Sequence, residues 1–317
     1  MNQSKKILIF PYFEKHSPYT QDLENGLQTF FKVCKAKNLF FFPLIRNYLI
    51  YKPNTVHFDW FHMYYSNPTS LFKTSLKLFM FVIDFFLLKF FNSNIYISLH
   101  NLKPHDSRYN KIDFFCYSYV IRLSKKIRFF SYYNLQIGSR YYRIKNSKSL
   151  LFYESKYSSK KKYQGKINLK KNNFLIFGQI RRYKNIHNFL TNNSKFLLNN
   201  YHLNFYIIGN AYDKIYFKEI LDLIKQYKFS NVEIHNCYVN SSEISDFISK
   251  FDFVLNPSLK NYNSGVLSHC IPLSVPYLAK KQYGIEERMN QNINYLYKNL
   301  NDSNLEKILN IDIKKND

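Results

Sequence analysis

Short apolar segments alternate with longer amphipathic segments along most of this chain. The short segments are rich in β-branched and aromatic residues, which is typical of buried strands. They predict strands at Ile7–Pro11, Asn38–Pro43, Thr55–Phe58, Asn94–Leu99, Ile127–Ser131, Phe174–Phe177, Asn204–Gly209, Val232–His235, Phe253–Asn256 and Tyr277–Ala279. Helical periodicity lies between them, for example over Ser70–Phe91, Asp213–Tyr227 and Glu243–Lys250. The alternation predicts an α/β protein with parallel sheets and crossover helices.

A stretch rich in Lys, Ser and Asn divides this pattern into two similar halves. Its weak periodicity predicts a linker over residues 151–172. We therefore expect Rossmann-like domains over residues 1–150 and 173–290, followed by a helical tail over residues 291–317. A ligand cleft is expected between the two domains.

Composition and charge narrow the class of protein. With 317 residues, of which 46% are hydrophobic, the chain can form packed cores, which excludes a disordered chain. There are 46 Lys and Arg residues against 21 Asp and Glu residues, and the resulting net charge of +25 favours anionic partners. A genome rich in A and T is an alternative source of part of this basicity, because Lys, Asn, Ile, Phe and Tyr share A/T-rich codons.

Cysteine spacing and the length of apolar segments indicate a cellular location. The four cysteines form no Cys-x-x-Cys pair, which argues against a disulfide framework or a zinc site and fits a reducing cytosol. No secretory signal is evident, and Asp84 and Lys89 interrupt the most apolar stretch, Leu78–Phe91. We expect a cytoplasmic protein that is soluble or peripheral to a membrane.

The strongest local motif is Phe174-Leu-Ile-Phe-Gly178-Gln-Ile-Arg181-Arg182-Tyr-Lys184. A buried strand ends at Gly178, and three cations follow just before a helix begins. Glycine allows close backbone approach, a helix N-terminus attracts anions, and Arg with Lys can bind a diphosphate. A solvated basic loop is the alternative interpretation.

A second motif follows a later strand of the same half. It comprises Asn256-Pro257-Ser258 and then Asn263-Ser264-Gly265, which opens another helical segment. Small hydroxyl and amide side chains before a helix offer caps and leave backbone N–H groups for a phosphate, although such a triplet alone is often an ordinary turn. Because ligands of open parallel sheets bind beyond the carboxyl ends of strands, both motifs are expected to face one crevice.

These motifs, with Ile207-Ile208-Gly209 and Pro276, resemble the nucleotide-sugar domain of GT-B glycosyltransferases. In the first half, His100-Asn101-Leu-Lys-Pro104-His105-Asp106 is similar to the His-Asn-x-x-Pro-His-Asp/Glu loop of bacterial polysaccharide and O-antigen enzymes of glycosyltransferase families 1 and 4. His57-Phe-Asp59-Trp60 is similar to their His/Trp segment. The resemblance covers about residues 5–290 and implies two Rossmann-like domains whose parallel sheets face a central cleft, the first for the acceptor and the second for the donor.

The resemblance also implies an activity and its partners. The expected reaction moves a sugar from a UDP- or GDP-sugar to a polyprenyl-diphosphate-linked oligosaccharide in O-antigen, capsule or exopolysaccharide synthesis. The expected partners are the donor, the lipid-linked acceptor and the anionic inner face of the cytoplasmic membrane, with no nucleic acid. No metal or other cofactor is expected, since fixed cations can stabilise the departing nucleoside diphosphate.

Site residues are carried over by position. The donor-diphosphate group comprises Gly178, Arg181, Lys184, Ser264 and Gly265, and the nucleotide or sugar group comprises Tyr238, Asn263 and Glu287. The acceptor group comprises Tyr19, His57, Asp59, Trp60, His100 and Asn101. We expect Asp106 to be the general base, with His105 as runner-up. A helix N-cap is the alternative role for Asp106.

Three positions depart from the family pattern. Asn261 and His269 stand where many retaining relatives have two glutamates, and Asn185 stands where glycine usually follows the lysine. The loss of both carboxylates favours an inverting, β-forming transferase. It also leaves open a non-catalytic partner subunit with the same fold.

The segment Ser70–Phe91 interleaves lysines with large aromatic residues, a pattern that suits a helix lying on an anionic bilayer. Lys125, Lys126 and Arg128, beside Phe129 and Phe130, are expected to extend that surface. A core helix with lysines at its edge is the alternative. A basic nucleic-acid-binding protein is a further alternative for the whole chain, although the cations are dispersed and no helix-turn-helix, zinc-finger or RNP motif is evident.

Overall fold

Strands pair in parallel in two six-stranded sheets. The structure is a computed structural model that describes residues 5–12, 18–66, 70–91, 94–102, 104, 109–153, 156–157, 161–165, 169, 172–259, 264–281, 283–289 and 295–297. The chain divides into two compact units, Met1–Ser155 and Lys156–Asp317, and each contains one sheet.

The first unit has the strand order β2-β1-β3-β4-β5-β6. Its strands are β1 Lys6–Phe10, β2 Lys32–Lys35, β3 Thr55–Phe58, β4 Asn94–Ser98, β5 Lys126–Phe129 and β6 Ser149–Leu151. Its helices are α1 Pro18–Gln28, α2 Pro43–Tyr51, α3 His62–Tyr65, α4 Leu71–Phe90, α5 Asn110–Leu123 and α6 Tyr132–Tyr142, with a single 3₁₀ turn at Asn146–Lys148. The direction of winding reverses between β1 and β3, and ligands of such sheets bind beyond the carboxyl ends of the strands at this reversal.

The second unit has the order β12-β11-β10-β7-β8-β9, that of a dinucleotide-binding sheet. Its strands are β7 Asn173–Phe177, β8 Asn204–Gly209, β9 Val232–Asn236, β10 Phe253–Asn256, β11 Tyr277–Lys280 and β12 Tyr295–Tyr297. Its helices are α7 Ile186–Asn192, α8 Ser194–Asn199, α9 Lys214–Gln226, α10 Ile244–Ile248, α11 Gly265–Leu273 and α12 Tyr283–Glu286, with a 3₁₀ turn at Arg182–Lys184. Here the winding reverses between β7 and β10.

Both faces of the second sheet are covered by apolar side chains. Phe174 and Phe205 belong to the cluster on one face, whereas Leu175, Tyr206 and Phe247 belong to the cluster on the other. All six residues of β8 are buried. A strand with two covered faces is apolar throughout instead of alternating, which is why the sequence pattern located it at its observed bounds.

The α/β class and parallel sheets predicted from the sequence are confirmed, but one strand was placed wrongly. The structure has no strand at Asn38–Pro43. The second strand is the more polar Lys32–Lys35, in which only Cys34 is buried. A strand at the edge of a sheet needs little apolar surface, so β2 has a weak apolar pattern. Phe40 and Phe41 are apolar but exposed, and they lie just before α2, which begins at Pro43. The apolar run therefore misled the prediction.

The segments predicted as a linker and a helical tail contain strand residues and hydrogen bonds to the rest of the second unit. Leu151 still belongs to β6. Beyond it, the Tyr157 N–H donates to the Ser268 carbonyl at 2.9 Å, and the Tyr163 N–H donates to the Asp246 carboxylate at 2.8 Å. Within the predicted helical tail, the described residues Tyr295–Tyr297 form a strand paired with β11. The rest of 291–317 lies outside the described residues.

The polar residue that interrupts the apolar stretch of α4 has a structural role. Asp84 is fully buried and accepts hydrogen bonds from the backbone N–H groups of Leu44 at 2.9 Å and Ile45 at 2.7 Å, and from the Tyr64 hydroxyl. It therefore satisfies N–H groups at the start of α2, which have no partner within their own helix. None of the described helices is long and apolar enough to cross a membrane.

Candidate functional site

A buried carboxylate organises the carboxyl edge of the first sheet. Asp59 follows β3 and is 1% exposed. Its two oxygens lie 3.3 Å from His57 Nε2 and 3.1 Å from His100 Nε2. The Tyr19 hydroxyl, from the start of α1, lies 3.3 Å from Asp59 Oδ1 and 2.9 Å from Ser98 Oγ at the end of β4. The ends of two neighbouring strands and the first helix thus contribute to one polar network.

The network holds Asp59 in its charged form. Burial alone would raise the pKa of this carboxyl, but the neighbouring His57 and His100 imidazoles outweigh burial and hold the pKa well below its usual range. Burial and the adjacent Asp59 charge raise the pKa of Tyr19 far above its usual value, although Arg128 opposes the shift. Tyr19 is therefore a neutral hydroxyl at physiological pH, and Asp59 is an acceptor of hydrogen bonds.

Aromatic rings enclose the imidazole of His100. The Trp60 ring stacks on it at 4.5 Å with an interplanar angle of 10°, and Phe130 stacks on it at 4.5 Å. The Arg128 guanidinium lies 4.7 Å from the centre of the Phe130 ring and 5.7 Å from that of Tyr19. The stacked rings of Trp60 and Phe130 thus fix the plane of the His100 imidazole, and the contact with Asp59 fixes the direction of its Nε2 atom.

The structure brings five of the six predicted acceptor residues, Tyr19, His57, Asp59, Trp60 and His100, into this network, and Asn101 follows it directly in the chain. The expected bases His105 and Asp106 lie outside the described residues. Ser98 and Arg128 join the network unpredicted. Phe129 and Phe130 were expected at a membrane surface, but both are fully buried. The sequence did not reveal the role of Arg128, because its guanidinium contacts the ring of Tyr19, which is distant in the chain.

In the second unit, two glycines bring the ends of β7 and β8 together. Gly178 has a φ of 109°, a conformation that L side chains rarely adopt. A Cβ on Gly209 would lie 1.8 Å from the Gly178 carbonyl oxygen, so no side chain fits there. The Gly178 N–H donates to the Ile208 carbonyl at 3.0 Å, which continues the pairing past the end of β7. These glycines let the two strand ends approach closely at the carboxyl edge.

The cations after β7 take two different orientations. Lys184 Nζ turns back to the strand end and donates to the Phe177 carbonyl at 3.3 Å. The Arg181 guanidinium lies 3.6 Å over the Tyr212 ring, which follows β8. Arg182 instead pairs with Glu219 at 2.5 Å on the outer surface, and this pairing raises its pKa. The predicted pair Arg181 and Lys184 thus lies near the strand ends, whereas the Arg182 side chain points to Glu219 on α9.

Asn185 preserves a backbone shape that glycine would supply. Its φ of 58° lies in the left-handed region, which asparagine tolerates better than most residues. Its side-chain amide donates to the Pro257 carbonyl at 3.2 Å, which joins the loop after β7 to the loop after β10. The departure from the family pattern at this position therefore keeps the loop geometry.

The start of α11 forms the other side of the β7/β10 reversal. Ser264 Oγ accepts from the Leu267 N–H at 3.3 Å and lies 2.9 Å from the Tyr277 hydroxyl, which accepts from Asn256 Nδ2 at 2.7 Å. Arg288 donates to the Ser264 carbonyl at 3.4 Å and to Ser268 Oγ at 2.5 Å. Sequence reasoning missed Arg288 because it lies after the last motif, yet it adds a cation to this helix N-terminus.

His269, at one of the two glutamate positions of retaining relatives, faces the interior. It is 4% exposed, and its Nδ1 lies 2.6 Å from Ser245 Oγ. Burial lowers its pKa to about 4, so the ring is neutral at physiological pH. It is therefore a packed core histidine. Asn261, at the other position, lies outside the described residues.

The remaining residues that the sequence predicts for the donor site belong to three different parts of the second unit. Tyr238 follows β9 and is 54% exposed, and Glu287 follows α12 and is exposed. Gly265 is the first residue of α11. Asn263 lies outside the described residues. Among the side chains that the structure describes, no group of three or more His, Cys, Asp or Glu residues is arranged to hold a metal ion.

Gly209→Ala tests the close approach of the two strand ends. Its new Cβ would overlap the Gly178 carbonyl, so the strand ends must separate, and we expect a loss of about 1–3 kcal/mol in the free energy of unfolding. Chemical denaturation measures this change. Gly26→Ala is the matched control, because its Cβ would meet nothing within 4 Å and a helical alanine is favoured. Equal stability of Gly209→Ala and wild type would contradict the overlap.

Comparisons with known proteins agree on the architecture. No family model and no curated protein matches the sequence. Among solved structures, Anabaena Alr3699/HepE in complex with UDP-glucose is 14% identical, with a TM-score of 0.65 over 98% of this chain and 90% of that chain. Sucrose-phosphate synthase from Thermosynechococcus elongatus is 11% identical, with a TM-score of 0.71 over 97% and 90%.

A glycosyltransferase from Rickettsia africae ESF-5 is similar at 14% identity, with a TM-score of 0.62 over 98% of this chain and 88% of that chain. The three likenesses extend over almost the whole chain and include both parallel sheets. Identities this low establish architecture alone. Together with the strand orders, they show that this chain has the GT-B fold.

Proposed function

We propose that this chain is a glycosyltransferase that moves a sugar from a UDP- or GDP-sugar to a polyprenyl-diphosphate-linked oligosaccharide. The reaction belongs to O-antigen, capsule or exopolysaccharide synthesis at the inner face of the cytoplasmic membrane. The observation that carries the proposal is the cationic edge at the β7/β10 reversal. There, Lys184 donates to the Phe177 carbonyl at the end of β7, and Arg288 donates to the Ser264 carbonyl at the N-terminus of α11.

The donor diphosphate fits this edge electrostatically. Arg181 and Lys184 supply positive charge, and the first N–H groups of α11, from Gly265 onward, point along the helix dipole. As the sugar departs, charge accumulates on the nucleoside diphosphate, and fixed cations stabilise it without a metal. HepE, which shares the fold, binds UDP-glucose, and this supports a nucleotide-sugar donor.

The proposed chemistry is inverting. A base removes the proton of the acceptor hydroxyl, while the nucleoside diphosphate leaves from the opposite face of the sugar. We assign the base to Asp106, with His105 as the alternative. The neutral, buried state of His269 supports this scheme, because that position supplies no carboxylate to a retaining reaction.

The acceptor is proposed to bind at the carboxyl edge of the first sheet. Trp60 and His100 present stacked rings there, and the buried Asp59 keeps the imidazole oriented. Arg128 adds a cation beside these rings. Rings with a nearby cation suit the glycan and phosphate portions of a lipid-linked sugar.

An outward apolar face of α4 supports association with the membrane. Six side chains, spaced alternately by four and three residues, follow one face of the helix, and we term them the α4 apolar stripe: Phe72, Leu76, Phe79, Ile83, Phe86 and Phe90. Ile83 is half-buried, whereas the other five are exposed, Phe72 to 79% and Phe90 to 75%. Lys73 and Lys89 are exposed on the same helix, so the face complements an anionic bilayer. The opposite face, with Phe81 and Phe85, belongs to the core.

A non-catalytic partner subunit is the second candidate, with which the interior position of His269 is equally compatible. It keeps the fold and need not bind a donor. A thermal-shift panel of UDP, GDP, CDP and their sugar conjugates, with duplex DNA alongside, separates the candidates. A rise in melting temperature with one base class supports the transferase, because ligand binding stabilises the native state. A response to DNA alone, lost at high salt, would overturn both candidates.

Substitution of the donor-site cations tests the transferase directly. Arg181→Ala and Lys184→Ala should each raise the barrier to transfer by about 2–4 kcal/mol, because each removes a charge that stabilises the leaving group. The rate of sugar transfer into the lipid fraction measures this effect. Arg182→Ala is the matched control and should retain the rate, because Arg182 pairs with Glu219. Unchanged polymer synthesis in both test variants would favour the partner subunit.

Asp106→Asn tests the proposed base. An amide cannot take the acceptor proton, so we expect transfer to fall by a factor of about 10²–10⁴ while the nucleotide-induced thermal shift is retained. Asp222→Asn, at an exposed position of α9, is the control for loss of one carboxylate. A substantial surviving rate in Asp106→Asn would return that residue to a capping role.

The double variant Phe72→Ser/Phe79→Ser tests the α4 apolar stripe. Both rings are exposed, so folding should be retained. Affinity for phosphatidylcholine vesicles containing phosphatidylglycerol should fall by about 3 kcal/mol, roughly a hundredfold. Vesicle co-sedimentation measures this loss.

Leu198→Ser/Tyr201→Ser, at exposed positions of the second unit, should bind vesicles as wild type does. Sedimentation equilibrium adds a second check on the stripe. A wild-type dimer that dissociates in Phe72→Ser/Phe79→Ser would show that a second copy covers the stripe instead.

A further inference from the structure

A cavity of about 510 Å³ opens at the amino edge of the first sheet. Its lining comes from α5, from the end of α6 and from the turn before β6, and includes Phe114, Ser118, Arg122, Tyr141, Arg143 and Lys145. We term it the α5–α6 cavity. Arg122 precedes β5 and Lys148 precedes β6, so the cavity lies at the opposite sheet edge from the Asp59 network. No proposed step of sugar transfer uses it.

One wall of the cavity is apolar and rigid. Phe114 lies 5.5 Å from the Tyr141 ring and 5.8 Å from the Tyr142 ring, measured between ring centres. The Tyr142 hydroxyl donates to the Leu102 carbonyl at 2.5 Å, which fixes that ring. Phe114 and Tyr141 remain about half exposed despite these contacts. The cavity therefore offers an aromatic surface to a ligand.

The other wall is cationic. Arg122, Arg143, Lys145 and Lys148 line it, and no Asp or Glu is among the described lining residues. Lys148 alone is accounted for by local structure, because its Nζ donates to the Arg122 carbonyl at 3.0 Å and so satisfies the end of α5. The other three are exposed at the rim.

The positive potential extends beyond the cavity towards α4. Burial lowers the pKa of Lys148, and the neighbouring charges of Lys89 and Lys145 lower it further. Like charges close to one another are unfavourable unless an anion offsets them. Lys89 lies in the last turn of α4 and its charge acts on Lys148, which places the cavity near the C-terminal end of the α4 apolar stripe.

We propose that the α5–α6 cavity binds the phosphate end of an anionic phospholipid, with the aromatic wall holding the first part of the chain. Its volume lies within the range of roughly 300–1,000 Å³ typical of small-molecule sites. Arginine and lysine side chains bind phosphate oxygens by charge-assisted hydrogen bonds. The inference rests on the proposed membrane association of the first unit, and it adds a specific lipid contact at one end of the stripe.

Soluble probes test the cavity without a membrane. Full-length protein is titrated calorimetrically with dihexanoylphosphatidylglycerol below its micelle concentration, and with dihexanoylphosphatidylcholine, which has the same chains but no net charge. We expect the anionic lipid to bind more tightly than the phosphatidylcholine. The triple variant Arg122→Gln/Arg143→Gln/Lys145→Gln should weaken lipid binding by about tenfold or more. Lys148 is left intact because it caps α5.

Two further variants make the result specific. Ser118→Phe fills the cavity without changing charge and should weaken lipid binding as the triple variant does. Lys195→Gln/Lys218→Gln/Lys225→Gln removes three exposed cations of the second unit and should bind as wild type. Equal losses in this control and the triple variant, wild-type affinity in Ser118→Phe, or equal affinity for phosphatidylcholine would each overturn the proposal.

The same set distinguishes failure of this inference from failure of the proposed function. Nucleotide-induced thermal shifts report the donor site and should be unchanged in the cavity variants. Vesicle binding that depends on the α4 apolar stripe, without binding of the soluble lipid, would overturn the cavity alone. Tighter, cavity-dependent binding of duplex DNA than of the lipid would overturn the lipid assignment.

Discussion

Parallel strand pairing is the constraint on which both candidate sites depend. It places the carboxyl ends of consecutive strands at one edge, and the reversal of winding leaves a gap between two neighbouring loops there. In the first sheet this gap lies at β1/β3 and in the second at β7/β10. Residues far apart in sequence therefore meet at this edge, as do His57 at the end of β3 and Ser98 at the end of β4.

The two edges are built with different chemistry. At the first, a charged carboxylate is buried and compensated by imidazoles and a hydroxyl, so the polar groups restrain each other. At the second, glycines remove side chains at the ends of β7 and β8, and Lys184 and Arg288 add cations at the end of β7 and the start of α11. A rigid polar network suits recognition of a neutral, hydroxyl-rich group, whereas an open cationic edge suits a diphosphate. This difference in chemistry follows from the residues that each edge presents.

Much of the fold was predictable because apolar strands with two covered faces carry a strong local signal, as β8 shows. β2 was misplaced because an edge strand needs only one buried residue, Cys34, and a run of exposed phenylalanines nearby carried a stronger false signal. Motif order located Lys184 and Asp59. It could not locate Arg288 or Arg128, since their positions depend on contacts between elements. For α4, the core-helix interpretation is confirmed for the face that carries Phe81 and Phe85, whereas the bilayer interpretation of the outer face stays a prediction.

The bond between Asp84 and the start of α2 fixes the rotation of α4 about its own axis. Each residue turns an α-helix by about 100°, so a single insertion between Phe79 and Asp84 would swing the first half of the stripe away from its present direction. One apolar side chain of the stripe can therefore replace another. The number of residues between each stripe position and Asp84 must stay the same, however, if the stripe is to keep its direction. The orientation of the outer face is encoded as a distance along the chain from one buried carboxylate.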